Sequence, residues 1–301
     1  MILQIDARAP ELKNGKFSSM KHAGGKPAIG ALVLLLAWVI VPRPGATAEL
    51  KIAAKAAVLM NGQTGKILWA HNQDLPLPPA STAKILTALV VLDHSRTSDL
   101  VTIPAEAGRV AGATTQLSAG EKLSVGDLLH AMLLGSGNDA AIALALHTGK
   151  SADKFVQQMN HKAQALGAVR TRFFNPTGMP HPSQLTTAQD LALITKAALE
   201  NSELRNIVGK TTYPWRSKRW QGAIENSNKL LSSYDGAIGV KTGNTREAGY
   251  CLVAAAQRDG QTYIAIVLRS QEKAVWRDAT QLLDFAFRRR SLETGRASSV
   301  R

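Results

Sequence analysis

Gly249-Tyr250-Cys251-Leu252-Val253-Ala254-Ala255-Ala256 and Thr262-Tyr263-Ile264-Ala265-Ile266-Val267-Leu268-Arg269 are two apolar, partly β-branched runs separated by a stretch containing Asp259-Gly260. An Asp-Gly pair accepts the positive φ values of a tight turn, so the runs predict an antiparallel pair of strands. Gly239–Thr242 precedes them and completes a predicted three-stranded meander. An amphipathic pattern from about Glu272 to Arg290 follows and predicts a closing helix. Far upstream, Ala56–Met60 and Lys66–Trp69 flank Asn61-Gly62-Gln63-Thr64-Gly65, which predicts a β-hairpin. From Pro79 to Asp93, Ile85, Leu86, Leu89, Val90 and Leu92 recur at helical spacing behind two prolines suited to a helix start. Between about Leu100 and Tyr234 the pattern is mainly helical, over Val125–Leu134, Asn138–His147, Ala152–Leu166 and Thr187–Glu200. Two strands, a helical block, three strands and a helix predict an α+β fold. Its five-stranded antiparallel sheet is assembled from both chain ends and flanked by helices, with a mainly helical lobe (about 93–235) inserted between strands 2 and 3. A cleft between the two lobes is the natural place for a ligand.

The 301 residues, 45% hydrophobic, suffice for such a unit and exclude a disordered or fibrous chain. The 36 Lys+Arg against 22 Asp+Glu give a net charge of +14 and point to an anionic partner. One cysteine, Cys251, excludes an intramolecular disulfide and a Cys-based zinc site, and no two of the seven histidines stand three or four apart. Cys251 lies in an apolar strand, which predicts a buried, inert thiol.

Lys21, His22 and Lys26 precede the apolar run Ile29–Val41, and Ala46-Thr47-Ala48 follows it: the layout of a secretory signal peptide. Thirteen apolar residues are short for a bilayer, which takes about 20, so cleavage after Ala48 is expected, a retained anchor being the alternative. The polar stretch before Met20 reads as an N-terminal extension. Residues 1–48 carry six basic and two acidic residues, so their loss leaves +10. Export makes nucleic acid a poor partner and the cell envelope a good location. Residues 49–290 are the expected catalytic domain, and 291–301 read as a disordered basic tail.

Two nucleotide-like matches fail. Gly135-Ser136-Gly137-Asn138-Asp139-Ala140 fits G-x-G-x-x-A, but a helical pattern precedes it where that fingerprint needs a strand. Gly149-Lys150-Ser151 resembles the end of a phosphate-binding loop, but Leu144 stands where the first glycine belongs.

Chemistry is carried by three other elements. Ser81-Thr82-Ala83-Lys84 puts a hydroxyl and an amine three residues apart on one helix face, among apolar neighbours that would lower the amine's pKa toward a useful base. Ser136-Gly137-Asn138 forms a turn between two predicted helices, and Lys241-Thr242-Gly243, followed by Asn244, lies on a strand. Each has an ordinary structural explanation alone: a solvated pair, a helix cap, an exposed strand. Together and in this order, S-x-x-K, S-x-N and K-T-G match the signature of penicillin-binding proteins and class A β-lactamases.

On these motifs the chain resembles the low-molecular-mass penicillin-binding proteins, the serine D-alanyl-D-alanine carboxypeptidases of peptidase family S11. The resemblance extends to Pro79-Ala80, the helix-turn Leu128 to Ala141 with Ser136-Gly137-Asn138-Asp139-Ala140, Asn175-Pro176-Thr177-Gly178, Asn226-Ser227-Asn228-Lys229-Leu230-Leu231 and Ala248-Gly249-Tyr250-Cys251. It departs at Asn61, where relatives often carry Asp, and in ending soon after the closing helix, where many relatives add a β-rich domain and an anchoring helix. The resemblance implies that Ser81 is the nucleophile and Lys84 its base. Ser136 relays a proton to the leaving D-alanine, and Asn138 holds the substrate amide and orients Lys84. Lys241 and Thr242, with Gly243 and Asn244, bind the substrate; backbone N–H groups of Ser81 and Asn244 form the oxyanion hole. No metal or organic cofactor is implied. The implied partners are a peptidoglycan stem peptide and β-lactam inhibitors, acting on a monomer.

A β-lactamase would need a deacylating Glu between the second and third motifs. From Ser151 to Leu199 the acidic residues are Asp153 and Asp190, and a helix position explains Asp190. DD-endopeptidase action on cross-links is the close rival, and a non-catalytic binding module the distant one. Arg277 reads as a solvated position on the closing helix, reach into the cleft to help hold a carboxylate being the alternative. Arg288-Arg289-Arg290 ends that helix, where cations complement its dipole, and also suits peripheral contact with anionic lipid or wall polymer.

Overall fold

The computed structural model describes residues 50–298; the expected signal segment and N-terminal extension, 1–48, lie outside the described residues. Strands β1 (Ala56–Asn61) and β2 (Ile67–His71) form the predicted hairpin. A 3-10 turn, Ala80–Ala83, leads into α1 (Lys84–His94). The inserted lobe comprises β3 (Leu100–Thr102), β4 (Lys122–Ser124), α2 (Val125–Leu133), α3 (Asn138–Gly149), α4 (Ala152–Ala165), α5 (Ala188–Glu200), α6 (Ser202–Val208), β5 (Thr212–Arg216), β6 (Gln221–Glu225) and α7 (Leu230–Ser233). The chain then returns to the sheet through β7 (Ala237–Thr245), β8 (Gly249–Arg258) and β9 (Gln261–Ser270) and ends in α8 (Ala274–Ser298).

The main sheet has the order β2-β1-β9-β8-β7 and is antiparallel throughout, so both chain ends meet where β1 pairs with β9, Leu59 opposite Ala265. Alternation along the strands divides the core. Val58, Met60, Ile264 and Ile266 face the side covered by α5 and the core of the inserted lobe, whereas Leu59, Leu252, Ala265 and Val267 face Val275, Ala279, Leu282 and Leu283 of α8. Strand β7 is left at the edge, with its side toward the inserted lobe unpaired within the sheet.

Three details differ from the pattern. The lobe also holds two small ribbons, β3–β4 and β5–β6, and the short helix α6. Three-residue strands are too short to display a period, and Pro214 within β5 hides the second ribbon. The 3-10 turn replaces the first turn of the helix predicted from Pro79. The third difference corrects the expected disordered tail: α8 continues past Arg290 through Ser298, so residues 291–298 are helical. Leu292, Glu293, Arg296 and Ala297 are good helix formers, and the one breaker, Gly295, stands alone.

Asp278, fully buried at the start of α8, ties the chain's entry to this junction. Its carboxylate accepts the N–H groups of Ala53 (3.2 Å) and Ala54 (3.0 Å) and the hydroxyl of Ser270 (2.9 Å). Asp278→Ala strands three donors and is expected to lower unfolding stability by about 2–4 kcal/mol. A urea titration would read this as a lower midpoint at unchanged slope.

Candidate active site

The backbone before Ser81 is forced into an uncommon shape. Ala80 has φ +47°, a left-handed value rare for a residue with a Cβ. Two glycine backbones press on it from either side: a Cβ on Gly178 would lie 1.8 Å from the Ala80 carbonyl oxygen, and one on Gly243 would lie 3.0 Å from the Ser81 nitrogen. Ser81 is thus clamped between the Asn175–Gly178 turn and strand β7. It opens into a cleft of about 400 Å³ lined also by Ser136, Asn138, Ser227, Thr242, Gly243 and Asn244.

Lys84 lies beneath the cleft floor and is fully buried. Its Nζ is 2.7 Å from Asn138 Oδ1, 2.7 Å from the Thr177 carbonyl oxygen and 3.0 Å from Ser81 Oγ. Burial holds its pKa well below the ordinary lysine value; Lys241 lowers it further and Asp139 opposes them. A neutral amine has two N–H donors and one lone pair. Asn138 Oδ1 and the Thr177 carbonyl can only accept, so they take the two N–H groups and leave the lone pair for the Ser81 hydroxyl proton.

Asn138 is itself fixed, its backbone N–H on the Ala113 carbonyl (2.7 Å) and its Nδ2 on the Ala111 carbonyl (2.7 Å). The neighbouring Asp139 carboxylate accepts the N–H groups of Thr115 and Leu117, hanging the 111–117 loop on the first turn of α3. Ser136, at φ +62°, occupies the turn between α2 and α3. Its hydroxyl has no hydrogen-bond partner among the described residues and faces the cleft. On β7, burial pushes Lys241 down to about 7, and its Nζ donates to the Thr242 carbonyl at 3.0 Å. The Thr242 hydroxyl meets that of Ser227 at 2.6 Å.

All eight residues singled out in the sequence therefore gather at one cleft, with Lys84 and Lys241 beneath it. Residues 43–272 match the family described as D-alanyl-D-alanine carboxypeptidase. The chain belongs to the D-alanyl-D-alanine carboxypeptidase family. It is 36% identical over 251 residues to D-alanyl-D-alanine carboxypeptidase DacF of Bacillus subtilis, covering 80% of this chain but 64% of DacF, less than two thirds of that relative. It is 38% identical over 275 residues to a D-alanyl-D-alanine carboxypeptidase of Streptomyces sp., covering 84% of this chain and 94% of the relative. The crystal structure of the Streptomyces K15 DD-transpeptidase superposes with a TM-score of 0.75 at 36% identity, over 79% of this chain and 98% of the other.

Features outside the carboxypeptidase signature find structural work. Helix α2 precedes Gly135, as the sequence requires, and no strand enters that turn. Lys150 caps α3 in a left-handed conformation and Ser151 caps α4. Asp190 is buried, accepting from the Arg170 N–H and the Thr171 hydroxyl, and Asp153 is exposed on α4; neither lines the cleft. Arg277 is exposed, 3.9 Å from Asp278, and does not line the cleft either. Cys251 lies in the cleft wall but is buried, and burial raises its thiol pKa to about 11, as an inert thiol requires.

Three contributors escaped the motif reading. The Thr177 carbonyl acts through its backbone, which no side-chain pattern reveals, although its turn belongs to the segments carrying the resemblance. So does Ser227. Asp139 too lies in a segment carrying the resemblance, and as an acidic residue in the first turn of the helix that begins at the S-x-N turn it signals no role of its own.

Proposed function

We propose that the chain is a serine DD-carboxypeptidase that removes the terminal D-alanine from peptidoglycan stem pentapeptides and is covalently inhibited by β-lactams. The observation that carries this reading is the arrangement of Lys84, with two acceptor-only partners and its remaining position on Ser81.

The Ser81 hydroxyl passes its proton to Lys84 while Oγ bonds to the carbonyl carbon of the penultimate D-alanine. The developing oxyanion is held by the N–H groups of Ser81 and Asn244. The carbon–nitrogen bond to the terminal D-alanine then breaks, and its nitrogen receives the proton from Lys84 through the Ser136 hydroxyl. Lys241, Thr242 and Gly243 hold the terminal carboxylate, whose charge favours protonated Lys241. Asn138 orients Lys84 and offers its second amide hydrogen to the substrate, the first being engaged by Ala111. Water then gives a proton to Lys84 as its oxygen bonds to the acyl carbon. The ester bond to Ser81 Oγ breaks, Oγ takes that proton back from Lys84, and the shortened peptide leaves with a new carboxyl group. The chain works outside the cytoplasm, after removal of the N-terminal segment, as a monomer whose excess positive charge suits the anionic wall.

DD-endopeptidase action uses the same residues and differs in the amine that leaves. Pure protein is expected to liberate free D-alanine from pentapeptide much faster than it converts cross-linked dimers to monomers, as separated by chromatography. Faster dimer cleavage would assign the endopeptidase instead. With Asp190 engaged elsewhere, no carboxylate of the Ser151–Leu199 stretch is poised to activate water against a penicilloyl ester. Turnover of a chromogenic cephalosporin should therefore stop at about one equivalent; sustained hydrolysis would make it a β-lactamase.

A further inference from the structure

Together with Lys229, the cleft is lined by a carboxylate that the proposed chemistry does not use. Strand β7 runs from Lys241 and Thr242 toward Asn244 and Thr245. Asn244 pairs with Tyr250 on β8, and Tyr250 pairs with Ser270 on β9. The residues after Ser270 therefore lie toward the Thr245 end, where Glu272 and Trp276 line the cleft together with Tyr250. Glu272 is the one acidic side chain among the described residues lining the cleft. It is exposed, and its carboxylate has no hydrogen bond or ion pair among the described residues, although the chain carries a net charge of +14.

A peptide with its terminal carboxylate at Lys241 and Thr242 and its scissile carbonyl at Asn244 passes its upstream residues toward Thr245 and Tyr250. At about 3.3 Å per residue, the residue just before the two D-alanines comes level with this end. We propose that Glu272, with Trp276 and Tyr250, forms a specificity subsite for a side chain at that position that ends in an ammonium group. The rings cover its aliphatic stem and Glu272 pairs with the cation. This proposal rests on the acyl-donor orientation given under Proposed function.

The test uses two peptides ending in D-alanyl-D-alanine and preceded by lysine, identical except that one carries the lysine amine acetylated. Two readouts are taken: kcat/KM for D-alanine release, and the peptide concentration that halves the rate of Ser81 labelling by a fluorescent penicillin. The free-amine peptide should be favoured about fivefold, the upper end for an ion pair open to water. That preference should shrink at high salt, fall to about one in Glu272→Gln and invert in Glu272→Lys. Because each variant is judged by the ratio between two peptides, a general loss of activity or folding does not imitate the result. A wild-type ratio near one, or a ratio undiminished in Glu272→Gln, overturns the subsite. If neither peptide yields D-alanine but the labelling ratio behaves as stated, the carboxypeptidase reading falls and the subsite stands.

Discussion

Lys84→Met is expected to slow acylation of Ser81 by about ten-thousand-fold, the upper range for loss of a positioned general base. Methionine matches the volume of the lysine stem and avoids burying an amine, so the side-chain packing of α1 survives. It offers nothing to Ser81, and it leaves Asn138 Oδ1 and the Thr177 carbonyl without the donors they now have at 2.7 Å. Stability therefore falls by about 1–3 kcal/mol for each acceptor that water does not reach, so the folded fraction is checked by circular dichroism before the rate is read. The rate of fluorescent-penicillin labelling, with intact mass to count acylated protein, measures the effect. Acylation within tenfold of wild type would remove Lys84 as the base.

The same experiment has a pH signature. Lys84 must be neutral to take a proton, so the acylation rate rises with pH through a pKa that burial and Lys241 hold well below the ordinary lysine value. Lys241 must be charged to attract a carboxylate, so the rate falls as it deprotonates, about 7 before substrate binds. The profile is a bell whose two limbs belong to the pair of neighbouring amines as a system. In Lys84→Met the rising limb disappears and the falling limb remains. A variant that was merely misfolded would lower the whole curve without removing one side of it.

What could be read in advance follows from where the information is stored. The meander and the opening hairpin were legible because their apolar runs and turn residues, Asp259-Gly260 above all, act locally. That both chain ends would share one sheet came from element order, through the preference for short connections; the register that sets Leu59 opposite Ala265 is carried by neither run alone. Ser81, Lys84, Ser136, Asn138 and Lys241 were legible as a group because the motifs are written in side chains, and the structure brings those side chains together. The Thr177 carbonyl was not, since any residue there supplies the same oxygen. The ribbon β5–β6 was hidden by Pro214, which is tolerated because it pairs with Ala223 in an isolated two-stranded ribbon rather than inside the main sheet. The backbone strain at Ala80 and Ser136 was also invisible, being imposed by neighbours distant in sequence. It stands beside Ser81, the proposed nucleophile, and in the S-x-N turn, where a local rule is broken in favour of site geometry.

Gly178→Ala tests that imposed geometry. Gly178 has φ +82°, and a Cβ there would lie 1.8 Å from the Ala80 carbonyl oxygen, 2.4 Å from its carbon and 3.0 Å from the Ser81 nitrogen. All three are backbone atoms, so no rotamer change relieves the clash, and the two segments must separate by more than an ångström. The left-handed backbone adds about 1–2 kcal/mol and the overpacking about 1–3 kcal/mol, for an expected loss of about 2–5 kcal/mol. Separation also draws the Thr177 carbonyl from Lys84 and releases one side of the clamp on Ser81. A displacement of about 1 Å at reacting groups can slow a reaction about a hundredfold, and labelling should fall by that order in the protein that remains folded. Gly120→Ala isolates the backbone contribution: Gly120 has φ +75° with no atom within 4 Å of its would-be Cβ. It should lose about 1–2 kcal/mol and label with penicillin at the wild-type rate. Equal stability losses in the two variants, or normal labelling in Gly178→Ala, would show that the Asn175–Gly178 turn does not hold the nucleophile in place.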